Sequence, residues 1–257
     1  MDVGSLPKPV NPTIRIDKKE TAIDLLGTKP EDVTYLCVYS NNKKTDLGFL
    51  GEYPNVETLF VNGDFADVDG ISELKRLNRL ILVLSADVDL SGLCVPELKS
   101  LTAYYQINNG FAELLTENVE YLELLEMRRI TDLSFIEKAK GLKKLYLCSM
   151  PAAEALPDLG KLPNLYGLKL YELHKLNDIE SLTRSGLRYL DFALVADKLS
   201  GTKIAEVLLC MEHLEWAYMI LDRSSDRRYN VLENRLKKAG MERLLNVSCD
   251  MDKWLKL

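Results

Sequence analysis

The feature that most constrains this chain is an apolar triplet at relative positions one, four and six, which begins with Val33, Leu36 and Val38. It returns as Val56/Leu59/Val61, Leu77/Leu80/Leu82, Leu98/Leu101/Ala103, Val119/Leu122/Leu124, Leu142/Leu145/Leu147, Leu165/Leu168/Leu170 and Leu187/Leu190/Phe192. Two looser copies, Leu214/Ala217/Met219 and Met241/Leu244/Asn246, close the series. The intervals are 23, 21, 21, 21, 23, 23, 22, 27 and 27 residues. One such copy cannot bury its own apolar face, so copies must stack, and a fixed period of this size is that of a solenoid. Positions four and six point inward while three and five alternate outward, as a short strand requires. The expectation is one right-handed curved α/β solenoid with a parallel sheet of nine or ten short strands on its concave side. At about 4.8 Å per strand that ladder runs on the order of 45 Å.

The second half of each copy is too short for a full helix. Ile130-Thr-Asp-Leu133-Ser-Phe-Ile136, Ala66-Asp-Val68-Asp-Gly-Ile71 and Leu176-Asn-Asp-Ile179-Glu-Ser-Leu182 read as extended or 3₁₀ segments on the outer curve. These residues, over Val33 to Phe192, resemble leucine-rich repeats of the roughly 22-residue subclass seen in internalins and in cytosolic phosphatase regulators. In that family an asparagine at position nine bonds backbone groups from coil to coil. Asn41 fits, but the later copies have Asp64, Ser85, Gln106, Met127, Met150, Leu173 and Val195. The turns here must therefore satisfy their backbone groups by another route.

The ends depart from the repeat. Asp17-Lys-Lys-Glu20 has capping-box spacing, and Ala22, Ile23, Leu25 and Leu26 before Gly27 predict a short amphipathic helix over that stretch. Ile14 to Ile16 reads as an extra edge strand. Residues 1–32 form an N-terminal arm and cap, and residues 33–257 one continuous solenoid. Ile204, Val207, Leu208 and Met211, then Tyr229, Leu232, Leu236 and Ala239 before Gly240, follow helical spacing, so the outer side turns helical near Ser200. Longer repeats of this kind resemble the ribonuclease-inhibitor branch. Trp254 to Leu257 closes the end.

Composition narrows the function. A net charge of -6, from 39 acids and 33 bases, repels phosphate backbones and argues against nucleic acid. No apolar run is long enough to span a membrane, and the proline-bearing start, Met1 to Pro12, does not read as a secretory signal. The cysteines Cys37, Cys94, Cys148, Cys210 and Cys249 are scattered, odd in number and never arranged as CxxC, so neither disulfides nor zinc are expected, and a reducing, cytoplasmic setting fits. His174 and His213 lack a neighbouring nucleophile or ligand set and read as surface residues. No phosphate-binding, nucleophile-elbow or metalloprotease motif occurs. Catalysis, metal and cofactor are not expected. Glu120, Glu123 and Glu126 read as a solvated acidic patch, and Cys37 and Cys148 as outward thiols.

Aromatic residues dominate the outward strand positions. Ten of the twelve tyrosines fall at or beside them. The residues expected to bind are Tyr35, Tyr39, Phe60, Tyr104, Tyr121, Glu123, Tyr146, Lys169, Tyr171, Tyr189, Trp216 and Tyr218. Tyrosine and tryptophan anchor interfaces because they bury much area at small rotamer cost. Tyrosine also favours strands and packs across them, so sheet stability accounts for the same column. Acids at Glu120, Glu123 and Glu126 are followed by bases at Lys143, Lys144 and Lys169, and a two-signed face suits a protein better than a polyanion. The sequence therefore points to a monomer that recognises a protein through its concave face. A stoichiometric enzyme inhibitor or immunity protein and a self-associating structural module are the rival readings.

Overall fold

Within each coil the spacing of buried side chains changes from two to three. Leu122 and Leu124 alternate along a strand, and then Met127, Ile130, Leu133, Ile136, Ala139 and Leu142 are all buried at intervals of three. Such spacing fits a path with three residues per turn, and amides of Ile136, Ala139 and Leu142 each donate to the carbonyl three residues back, at 3.0–3.1 Å. The same threefold rhythm links Val68, Ile71, Leu74 and Leu77, and also Leu159, Leu162 and Leu165. Aspartates start these turns. Asp46, Asp67, Asp89, Asp132, Asp158 and Asp178 each accept the amide two residues on, at 2.6–3.2 Å. The outer side is thus 3₁₀ and extended, as expected.

The computed structural model describes residues 11–84, 88–105, 110–222 and 225–246, the side chain of Asn246 excepted. The expectations for residues 1–10, for Ser85 and Gln106 at position nine, for Cys249 and for the closing segment Trp254 to Leu257 lie outside the described residues. Two units, Met1–Leu98 and Lys99–Leu257, make up the chain. Unit 1 contains β1 (Thr13–Ile16), β2 (Thr21–Asp24), β3 (Tyr35–Asn41), β4 (Thr58–Asp64) and β5 (Arg79–Leu84), in spatial order β5-β4-β3-β1-β2. Unit 2 contains β6 (Ser100–Tyr104), β7 (Tyr121–Leu125), β8 (Lys144–Cys148), β9 (Gly167–Tyr171), β10 (Tyr189–Ala193), β11 (Trp216–Ile220) and β12 (Leu245–Asn246), neighbours in chain order. All recorded pairings are parallel except β1 with β2.

The predicted N-terminal helix is not formed. Residues 13–24 make a hairpin instead, with Ile14 opposite Ile23 and the Asp17 amide bonded to the Glu20 carbonyl at 2.8 Å. Capping-box spacing over Asp17 to Glu20 serves equally as a two-residue turn, and β1 gains a ladder along β3 that a helix would forfeit. The edge strand read at Ile14 to Ile16 is present. At the far end α1 (Gly201–Leu209) and α2 (Arg227–Lys238) form as expected, with the Ser200 hydroxyl capping the Lys203 amide at 3.1 Å. The last repeat is displaced by one residue. Leu245, not Leu244, stands beside Ala217, because residues 242–244 take a 3₁₀ turn first.

Position four is buried throughout: Leu36, Leu59, Leu80, Leu101, Leu122, Leu145, Leu168 and Leu190 have no exposure. Position nine in unit 2 is an apolar column of Met127, Met150, Leu173 and Val195, all wholly buried. The backbone service of an asparagine ladder falls instead to position eight. Tyr105, Glu126, Ser149, Glu172 and Leu194 all have φ of 53–60°. This left-handed turn aims each amide at the position-seven carbonyl of the next strand: Tyr105 to Leu125, Glu126 to Cys148, Ser149 to Tyr171, Glu172 to Ala193 and Leu194 to Ile220, at 2.6–3.1 Å. A non-glycine residue in this region costs on the order of 1 kcal/mol, which the intercoil bond offsets. Outer-side ion pairs also bind coil to coil: Glu113–Lys138, Glu137–Lys161, Asp158–Arg184, Glu180–Lys203 and Glu206–Arg235.

Candidate functional site

Each strand contributes positions three, five and seven to one face of its sheet. In unit 2 the parallel register aligns position five as Thr102, Glu123, Tyr146, Lys169, Asp191 and Tyr218, one per strand from β6 to β11. Neighbours in this column interact. The Thr102 hydroxyl donates to Glu123 Oε2 at 3.1 Å, Lys169 Nζ lies 4.8 Å from the centre of the Tyr146 ring, and the same ammonium stands 3.6 Å from Asp191 Oδ2. The Lys169 and Asp191 side chains are only 15% and 7% exposed, so this is an ion pair largely withdrawn from water. Burial pushes the Tyr146 phenol far above its ordinary pKa, with Cys148, Glu123 and Asp191 adding to the effect. It stays neutral, between Glu123 and Lys169 in the column.

Half-buried aromatics flank the column. Tyr121 and Tyr189 occupy position three, and Tyr104 and Tyr171 position seven. Trp216 stacks on Tyr218 with ring centres 6.4 Å apart at 20°. Trp216 is buried, a wall of the face more than part of its open surface. Tyr189 donates to Glu215 Oε2 at 3.3 Å, and Arg188, paired with Glu215, lies over its ring. The three glutamates are not a block of bare like charge. Glu120 pairs with Lys143 at 2.8 Å, Glu123 takes the Thr102 hydroxyl and Glu126 pairs with Arg128 at 3.2 Å. His174 Nδ1 is 3.1 Å from Asp197, at the end of the coil that follows β9.

Unit 1 carries the remaining expected residues on its own sheet face. Tyr39 and Phe60 lie 5.5 Å apart, tilted by 50°, and the Arg15 guanidinium sits 4.7 Å above the Tyr39 ring from β1 alongside. Tyr35 is half-exposed at the start of β3. Cys37 is buried, against the expectation of an outward exposed thiol, because Thr13 of β1 stands opposite it and closes that side. Burial pushes its pKa up, which leaves it the thiol and a poor nucleophile. Among the described residues Cys37, Cys94, Cys148 and Cys210 form no disulfide. Sequence reasoning passed over Arg15 and Asp191. An arginine before a hairpin turn and an aspartate within an apolar strand only acquire meaning once the register places Tyr39 and Lys169 beside them.

Strands on a repeated position-four leucine, returning through threefold outer turns, define the leucine-rich-repeat fold. No family model matches the sequence, and no curated protein matches it. Among solved structures the chain is similar to an internalin (InlF) from Listeria monocytogenes str. 4b F2365, at 16% identity and a TM-score of 0.46, over 86% of this chain and 69% of that one. No helix among the described residues is long and apolar enough to cross a membrane.

Proposed function

We propose that this chain is a non-catalytic recognition protein that binds a protein partner through the sheet faces of its leucine-rich repeats. The observation that carries this reading is the Lys169–Asp191 pair set among Tyr146, Tyr171, Tyr189 and Tyr218 in unit 2. A largely buried ion pair stabilises a fold no better than apolar residues of the same size, since desolvation offsets the attraction. Its presence on the face, amid half-buried aromatics, supports a surface kept polar for specificity. Tyrosines held by cross-strand neighbours lose little further freedom on binding, which favours them as anchors. The mixed charge and the acidic balance of the whole chain favour a protein over a polyanion.

The test is affinity capture from the organism's extract with the unchanged chain and with a Tyr121→Ala/Tyr146→Ala/Tyr171→Ala variant, read by mass spectrometry. A protein held by the first and lost by the second, although both melt alike, supports the reading. Equal retention by both would place recognition elsewhere on the chain.

A further inference from the structure

In unit 2 Lys169 of β9 and Arg188 just before β10 are ion-paired; among the described residues, the arginines on the face of unit 1 are not. Lys169 faces Asp191 and Arg188 faces Glu215. Arg15 and Arg79 take part in no ion pair among the described residues, although both stand on the sheet side that carries Tyr39 and Phe60. The carboxylates at the margins of that side are otherwise engaged: Asp17 accepts from Asn41, and Asp24 from the Leu26 amide at 3.0 Å. On β4, between the arginines, Phe60 is half-exposed with Thr58 and Asn62 to either side, and Ile81 and Val83 of β5 extend its apolar surface.

From this we infer that unit 1 binds an extended acidic segment of the protein partner, one carboxylate on each arginine and an apolar side chain on the strip between them. The inference rests on the recognition function proposed above and names the chemistry that this unit reads. The Arg15 guanidinium already lies over the Tyr39 ring, 4.7 Å from its centre, so it is held by the ring and loses little freedom on meeting a carboxylate. The spacing follows from the register. Arg15 is level with Tyr39, and Arg79 with Thr58 and Tyr35, so the two are three strands apart and offset by four residues along them. At about 4.8 Å between strands and 3.3 Å per residue the separation is roughly 20 Å, which an extended segment spans in about six residues. The net charge of -6 repels acidic chains in general, so selection of one must come from this local pair.

The probe is a library of random dodecapeptides panned on the full chain, with selected peptides remeasured on variants by calorimetry. The expected peptides carry two acidic residues about six apart around an apolar one. They bind at least tenfold more weakly to Arg15→Gln and to Arg79→Gln, less weakly to Arg15→Lys, and unchanged to Lys18→Gln/Lys19→Gln, which removes nearby charge without touching the face. Should Arg15→Gln not fold, the exposed Arg79 carries the test alone. Peptides that lack acidic enrichment, or bind the arginine variants equally, overturn the inference. If those peptides depend instead on Tyr146 and Tyr171, the wider recognition function stands and this part of it falls. A library with no peptide dependent on either face overturns both.

Discussion

Replacing the Lys169–Asp191 pair separates a role in recognition from a role in stability. At 3.6 Å the attraction is about 5 kcal/mol for an effective dielectric near 20. Desolvation of two charges so little exposed costs several kcal/mol, so the pair nets near zero. Removing one partner exposes that cost. Asp191→Leu and Lys169→Met should each lower stability by about 3 kcal/mol, while the double variant should return to within about 1 kcal/mol of the unchanged chain, because methionine keeps a contact with the Tyr146 ring. The coupling energy is then about 5 kcal/mol. Urea unfolding of all four proteins, with midpoints compared at constant slope, measures it. The partner isolated by capture should bind the double variant poorly despite its recovered stability. A double variant as unstable as the two singles summed would show that the two charges do not act as a unit. One that is stable and binds normally would remove the pair from recognition.

Other expectations test the scaffold. Leu122→Ala removes a wholly buried side chain from the middle of the position-four column, and equilibrium unfolding should register a loss of about 3–4 kcal/mol. Gly63→Ala should prevent soluble expression or lower the melting temperature sharply, since Gly63 has φ of 119° and an added Cβ would lie 1.8 Å from the Ser40 carbonyl oxygen. The Asp132 carboxylate is held below its usual pKa by the Ser134 amide and hydroxyl. Its contribution is present above the unfolded value, near pH 4, and lost as pH falls through the folded one. Asp132→Asn, which cannot ionise, should therefore flatten the acid limb of the stability curve by lowering stability slightly at pH 7 and leaving it unchanged well below pH 4. Deleting residues 1–27 removes the hairpin and bares the β3 edge, so light scattering should reveal association; a deletion that stays monomeric with unchanged melting would deny the hairpin a capping role.

The sequence determined the coil by itself. Leucines at position four repeat because every strand must bury the same slot, and the threefold rhythm from Met127 to Leu142 admits no helix of 3.6 residues per turn. The shift to helices after Ser200 was equally legible, through an apolar stripe and a glycine stop. Tertiary structure decided three things. Left-handed turns at Tyr105, Glu126, Ser149, Glu172 and Leu194 follow no residue preference; the carbonyl of the next strand imposes them. The segment from Thr13 to Asp24 became a hairpin because the open edge of β3 supplied hydrogen bonds that local helix signals cannot match. The candidate face required the register, for Asp191 meets Lys169, and Arg15 meets Tyr39, only when residues about 22–24 apart are laid side by side. Periodicity within a coil is a local property that a sequence displays directly. Which charge meets which ring across coils depends on small insertions in the outer turns, and those are resolved only when the strands pair.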